Sequence, residues 1–204
     1  MDSQLLITAF ATLFVIIDPI GLTPLFVALT QGMSDKARRG IALRACTLAV
    51  GVLLMFALFG EAVLGFVGIS LPAFRIAGGI LLFLTALEML FERRSKRRED
   101  QAEDDRPDPS VFPLAIPLIA GPGAIASIIL LTGDSDVTRL ATICGVMICV
   151  IATVFVFFLL AGKIERLLGK TGINVVSRLL GMMLAALSVQ FVLDGLRDFG
   201  LAGG

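Results

Sequence analysis

Two stretches of this sequence match each other: Glu61-Ala62-Val63-Leu64-Gly65-Phe66-Val67-Gly68-Ile69-Ser70 and Glu165-Arg166-Leu167-Leu168-Gly169-Lys170-Thr171-Gly172-Ile173-Asn174. Just beyond them, the pattern Arg75-x-x-Gly78 has a counterpart in Arg178-x-x-Gly181. A second correspondence at nearly the same spacing is too specific to arise from composition. We therefore interpret the chain as two copies of one unit.

The composition predicts that both copies lie in a lipid bilayer. Of all residues 57% are hydrophobic, and the mean hydropathy is +0.95. A chain of 204 residues has room for about six helices of ~20 residues and for no separate soluble domain. Long apolar runs predict membrane spans at residues 4–29, 41–60, 71–91, 110–131, 137–161 and 173–196. We expect an all-α polytopic membrane protein whose single transmembrane domain covers residues 1–204.

An odd number of spans in each copy determines how the copies are related. Residues 1–92 and residues 110–204 each carry three spans, so the second copy must be inverted relative to the first. Two inverted three-helix repeats are the ground plan of many secondary transporters. The charged segment at residues 93–109 is interpreted as the linker between them.

Lys and Arg residues predict the orientation. When loops alternate between the two sides, Arg75, Arg139 and Arg197 fall on one side and the other fourteen of the 17 basic residues fall opposite. By the positive-inside rule, the richer side is cytoplasmic. We thus expect a bacterial inner-membrane protein with a cytoplasmic linker and both termini periplasmic. The linker has mixed charge, which indicates a solvated hinge and no nucleic-acid binding.

Two of the predicted helices are interrupted near mid-span. The first span contains Asp18-Pro19-Ile20-Gly21-Leu22-Thr23-Pro24, and the fourth contains Pro113, Pro117 and then Ala120-Gly121-Pro122-Gly123. Proline removes a backbone donor and clashes with the preceding turn, so both helices are predicted to be broken. Irregular backbone at that depth must be buried in protein or line a wet cavity.

Each break has a cap residue followed by proline at the first helical position. The Asp18 carboxylate can accept hydrogen bonds from the amides of Ile20 and Gly21. At the equivalent position Gly121 has no side chain, so the amides of Gly123 and Ala124 need another acceptor. A bound carboxylate would satisfy them, since helix starts carry partial positive charge.

These features predict a binding site for a small zwitterion, with its carboxylate on the free amides and its ammonium near Asp18. Glycine and alanine crowd the second break, which favours a small substrate. The candidate binding residues are Asp18, Pro19, Ile20, Gly21, Thr23, Gly121, Pro122, Gly123 and Ala124. Two purely structural interpretations stay open. In the first, the breaks are packing kinks. In the second, Asp18 is a helix cap rather than a ligand or proton carrier.

The sequence specifies the coupling ion and the gating residues less closely than the binding residues. Arg75 and Arg178 begin the third and sixth spans, where they serve as interfacial anchors, as partners of carbonyls at the breaks, or in gating. Either a proton carried by Asp18 or a sodium ion bound to carbonyls is compatible with the pattern. Homo-oligomerisation stays open.

The quoted motifs resemble those of the MarC family of six-helix bacterial inner-membrane proteins. The resemblance rests on Asp18-Pro-Ile-Gly-x-x-Pro24, Phe74-Arg-Ile-Ala-Gly-Gly-Ile80, the segment from Pro113 to Ala124, and Gly172-Ile-Asn-Val-Val-Ser-Arg178. That family is similar to transporters of small neutral amino acids such as glycine and alanine, and more distantly to LysE-type exporters. The resemblance therefore implies transport more firmly than any substrate.

Other classes of function were weighed against transport of an amino acid. The chain contains no His, which excludes zinc-protease and Ser-His-Asp chemistry, so we expect no enzyme and no cofactor. A metal-ion transporter would need several oxygen ligands, and Asp18 is the only acid near mid-membrane. Export of drugs or other small molecules is the remaining alternative.

Overall fold

The computed structural model describes residues 3–91, 108–133 and 136–200. Every regular element in these ranges is helical. The helices are α1 (Ser3–Ile17), α2 (Pro19–Leu29), α3 (Asp35–Val67), α4 (Leu71–Leu90), the irregular α5 (Ser110–Ile119), α6 (Pro122–Thr132), α7 (Val137–Leu159) and α8 (Ala161–Asp198). The prediction of an all-α protein is confirmed, while most of the predicted linker at residues 93–109 lies outside the described residues.

Five helical stretches of the described chain are long and apolar enough to cross a membrane. They are Ser3–Leu29, Asp35–Val67, Leu71–Leu90, Val137–Leu159 and Thr171–Asp198. The pair α5 and α6 gives a sixth candidate span if its two helices are counted together across their 53° bend. The chain is thus a helical protein with five to six candidate spans.

Two helices extend well beyond the apolar runs that predicted them. Ser34 caps α3 by accepting a hydrogen bond from the Ala37 amide at 3.3 Å, and the helix then runs on to Gly68, whose φ of 81° ends it. In the second half α8 continues through the matching segment, with a local break at Gly169 (φ 61°). The predicted span at residues 41–60 was therefore shorter than α3, because hydropathy detects the bilayer-crossing part of a helix only, whereas the candidate span Thr171–Asp198 after the Gly169 break agrees with the predicted 173–196 to within two residues.

Helices α4 and α8 pack antiparallel along their lengths, and glycines set how closely they approach. A Cβ atom at Gly79 would lie 2.8 Å from the Ser188 carbonyl oxygen, and one at Gly195 would lie 3.0 Å from the Pro72 carbonyl oxygen. Towards the end of α4, a Cβ atom at Gly181 would lie 3.0 Å from Met89 Cβ. Small residues that allow backbones to approach are typical of helix pairs in membranes.

Ion pairs lie at the ends of the described helices. Arg75 near the start of α4 pairs with Asp198 at the end of α8, across the antiparallel contact. Arg44 of α3 lies 3.3 Å from the Asp108 carboxylate, just before α5. Hydrogen bonding from Ser110, and more weakly the charge of the Arg44 guanidinium, hold the pKa of Asp108 below its usual value.

The interior is apolar, and so is much of the surface. Large side chains such as Leu13, Ile17 and Phe26 are completely or almost completely buried where α1 and α2 meet their neighbours. Others, including Phe66 at 94% exposure and Leu167 at 84%, project outward. Apolar side chains on the outside of a bundle are expected where the surrounding solvent is lipid.

Candidate functional site

The first break is a one-residue interruption at Asp18, and α1 and α2 together still form the single candidate span Ser3–Leu29. Helix α1 ends at Ile17, Asp18 has left-handed backbone angles (φ 56°, ψ 65°), and α2 begins at Pro19. Asp tolerates this conformation better than most residues because its short side chain can bond locally. Asp18 Oδ1 accepts a hydrogen bond from the Gly21 amide at 2.9 Å, so Asp18 caps α2, and its side chain is buried.

The backbone stays well bonded around this interruption. The Asp18 amide donates to the Phe14 carbonyl at 2.9 Å, and the Leu22 amide donates to the Asp18 carbonyl at 3.0 Å. Thr23 donates its hydroxyl proton to the Pro19 carbonyl at 3.0 Å and is completely buried. The Thr23 hydroxyl therefore stabilises the first turn of α2.

The second break is larger. In α5, Phe112 and Ile116 have extended backbone angles, and each precedes a proline that is joined by a cis peptide bond. Residues before proline are disfavoured in helices, which accounts for the extended angles at both positions. Gly121 is also extended (φ −83°, ψ 168°), and α6 then begins with Pro122 at its first position.

The start of α6 is buried and has no side-chain cap. Gly123 and Ala124 are both buried, and the first amide of the helix that bonds back is that of Ile125, to the Gly121 carbonyl at 2.9 Å. A Cβ atom at Gly121 would clash with the Pro117 carbonyl oxygen, so a capping side chain cannot be accommodated there without movement. A buried helix start without a cap needs water or a ligand as acceptor.

The structure brings the start of α6 close to the end of α1. A Cβ atom at Gly123 would lie 3.3 Å from Ile16 Cγ2 and 3.0 Å from Leu82 Cδ2. Ile16 precedes Asp18 by two residues, so Gly123 at the second break packs against the end of α1 that leads into the first break. Gly123 leaves no space for a larger residue on this face.

Ser127 of α6 adds a polar group that the sequence reasoning missed. Its hydroxyl is completely buried and has no hydrogen-bond partner among the residues that the structure describes. Residues four apart lie on one helix face, which places Ser127 one turn beyond Gly123 on the same side. The available signal was a lone serine in the apolar run Ile125–Thr132, four residues after the glycine.

An apolar crevice borders the second break. It encloses about 500 Å³ between α4 and the α5–α6 bend, and its walls include Phe74, Gly78, Ile116, Pro117, Ala120 and Pro122. Pro122 belongs to the candidate site, so the second break borders an apolar crevice on one side. A lining of this kind suits small aliphatic groups.

The two arginines assigned to coupling or gating lie far from each other. Arg75 is held by Asp198 where α4 begins and α8 ends. Arg178 is exposed on α8, three residues before Gly181, which packs against Met89 near the end of α4. The structure therefore separates them along the length of the α4–α8 pair.

These elements define a multi-pass integral membrane protein with several apolar helices. A family model described as "MarC family integral membrane protein" matches residues 3–199. The chain belongs to the MarC family, as its motifs predicted.

Relatives of similar length occur in archaea and bacteria. A UPF0056 membrane protein of Methanocaldococcus jannaschii is 37% identical over 201 residues, which cover 97% of this chain and 98% of that protein. The UPF0056 membrane protein YvbG of Bacillus subtilis is 36% identical, covering 97% and 96%. The UPF0056 inner membrane protein YhgN of Escherichia coli is 33% identical, covering 94% and 96%. No solved structure matches the chain.

Proposed function

We propose that this protein is an inner-membrane secondary transporter that carries a small neutral amino acid such as glycine or alanine. The observation that carries the proposal is the buried, uncapped start of α6, where Gly123 packs against Ile16 at the end of α1 and the unpartnered Ser127 hydroxyl lies one turn further along α6. Positive half-helix ends near the bilayer centre are a common way to bind anionic substrate groups in transporters.

In the proposed site, the substrate carboxylate accepts hydrogen bonds from the amides of Gly123 and Ala124 and from the Ser127 hydroxyl. The ammonium group lies towards the Asp18 carboxylate, which is the acid of the first break. The carboxylate and the ammonium group of the zwitterion then each lie beside a group of opposite charge or partial charge. In a region of low dielectric, unpaired charges are costly. The close contacts of Gly123 with Ile16 and Leu82 favour a substrate with a small side group.

We further propose that the two halves are inverted repeats. Support comes from Pro19 and Pro122, each of which begins a helix after a break. Additional support comes from the antiparallel packing of α4 with α8, because both carry the Arg-x-x-Gly pattern and would be the third helix of their repeats. Alternating access would then follow from rocking one repeat against the other.

Reconstituted proteoliposomes test the function directly. We expect uptake of radiolabelled glycine or alanine that responds to an imposed proton or sodium gradient, with each gradient applied separately to identify the coupling ion. Uptake of a divalent metal ion or of an antibiotic, without any amino-acid uptake in either direction, would replace this proposal by one of the two alternatives.

A further inference from the structure

A second cavity lies at the end of the bundle where α2 and α7 end and α3 and α8 begin. It encloses about 280 Å³, and four basic residues line it: Arg38, Arg39, Lys163 and Arg166. We call this cavity the basic pocket. Among the lining side chains that the structure describes, Asp35 is the one acid, so this lining has an excess of three positive charges. The charge distribution of the loops predicts that this end faces the cytoplasm.

Two stacked aromatic rings line the basic pocket. Phe26 of α2 and Phe158 of α7 stack with ring centroids 4.3 Å apart and planes 7° from parallel. The Arg38 guanidinium lies over the Phe26 ring, 5.7 Å from its centroid, and this contact holds the cation at the pocket. The lining comes from α2, α3, α7 and α8, and the four cations lie on the helices α3 and α8.

None of the four cations forms an ion pair with a carboxylate among the side chains that the structure describes. The rim next to them is apolar: Leu159, which lines the pocket, and the neighbouring Leu160 are 45% and 41% exposed. Basic groups beside lipid-facing leucines at the end of a membrane helix match a molecule with an anionic head and hydrocarbon chains.

We propose that the basic pocket binds the phosphodiester headgroup of an anionic phospholipid from the adjacent leaflet. The phosphate would accept hydrogen bonds from the Arg38, Arg39 and Lys163 side chains, since guanidinium and ammonium groups are the usual phosphate donors. The acyl chains would lie along the exposed leucines. A free phosphate would use the cations but would gain nothing from this apolar rim.

Native mass spectrometry of the delipidated protein in detergent tests the proposal. Phosphatidylglycerol should bind with a higher affinity than phosphatidylcholine, which carries the same phosphate but no net charge. The double variant Arg38→Gln/Lys163→Gln should weaken phosphatidylglycerol binding by roughly tenfold or more, given the contribution of each cation near an anionic surface. The charge-retaining pair Arg38→Lys/Lys163→Arg should bind nearly as well as the original protein.

The matched control is Arg139→Gln/Arg197→Gln, which removes two exposed cations elsewhere and should leave binding unchanged. Equal weakening by the control would mean diffuse charge attraction rather than a site, and would overturn the proposal. So would unchanged binding in the pocket variant. Displacement of the lipid by equimolar glycerol 3-phosphate would assign the pocket to a soluble phosphate and would reject the lipid as its ligand.

Discussion

Asp18 has an observed role as a helix cap and a proposed role in binding charge, and a single substitution can separate the two. Its carboxylate caps α2 through the Gly21 amide, and its backbone has positive φ. Asn ranks with Asp as a helix cap and also tolerates left-handed angles, so the capping role survives replacement. The proposed charge role does not survive it, because an amide neither carries charge nor titrates.

We therefore expect Asp18→Asn protein to insert and fold, with a loss of stability below about 1 kcal/mol, and to lose substrate-dependent transport. Thermal unfolding in detergent measures the first effect, and uptake into proteoliposomes measures the second. Wild-type uptake with unchanged pH dependence in this variant would reduce Asp18 to a structural cap.

For Ser127, substitution is expected to raise the stability of the protein, in contrast to Asp18→Asn. A buried hydroxyl without a partner costs about 1–3 kcal/mol, so Ser127→Ala should raise the stability of the substrate-free protein while weakening substrate binding. Ser188→Ala is the matched control, because that buried hydroxyl donates to the Ala185 carbonyl at 2.6 Å and its removal should not affect binding. The melting temperature measures the change in stability, and the substrate concentration for half-maximal uptake measures the change in binding. A destabilised Ser127→Ala protein with normal uptake would contradict them.

At the scale of helices, the contact between α4 and α8 depends on Gly79. An added methyl group there meets backbone atoms of Ser188 and Val192 at 2.8 and 3.1 Å, and backbone cannot move aside without separating the helices. We expect Gly79→Ala to destabilise the protein by about 1–3 kcal/mol, which outweighs the gain in helix propensity. Thermal unfolding measures this loss.

The control for that experiment is Gly51→Ala in α3, where an added Cβ atom meets nothing within 4 Å. Its stability should be unchanged or slightly higher, because Ala is the better helix former. A loss as large as that of Gly79→Ala would show that the close approach of α4 and α8 is not the cause.

The sequence predicted those elements whose cause is local. Proline after a cap residue located the starts of α2 and α6, since the missing amide and fixed φ act within one turn. It did not predict the pair of Arg75 with Asp198, which are 123 positions apart, or the unpartnered Ser127 hydroxyl. Both depend on which helices become neighbours, and hydropathy contains no information on that.

For the whole molecule, the distribution of basic residues predicts which end of the bundle faces the cytoplasm. The packing of the helices alone does not test this prediction. The basic pocket, the loop between α2 and α3, and the linker at residues 93–109 are all predicted on the cytoplasmic side. The start of α1 and the end of α8 are predicted on the periplasmic side. The antiparallel pair α4 and α8 is compatible with this arrangement, because Arg75 and Asp198 then share the periplasmic end.

Cysteine labelling of intact cells measures this orientation. In a background where Cys46, Cys144 and Cys149 are replaced by Ala, a membrane-impermeant maleimide should modify Ser3→Cys but neither Gln31→Cys nor Gln101→Cys. The two cytoplasmic variants should react only after the membrane is permeabilised, which also confirms that they are present and accessible. Labelling of Gln101→Cys from outside would invert the whole assignment and would place the basic pocket in the opposite leaflet. The positive-inside rule makes that outcome costly, because the greater number of the chain's basic residues would then have to be translocated.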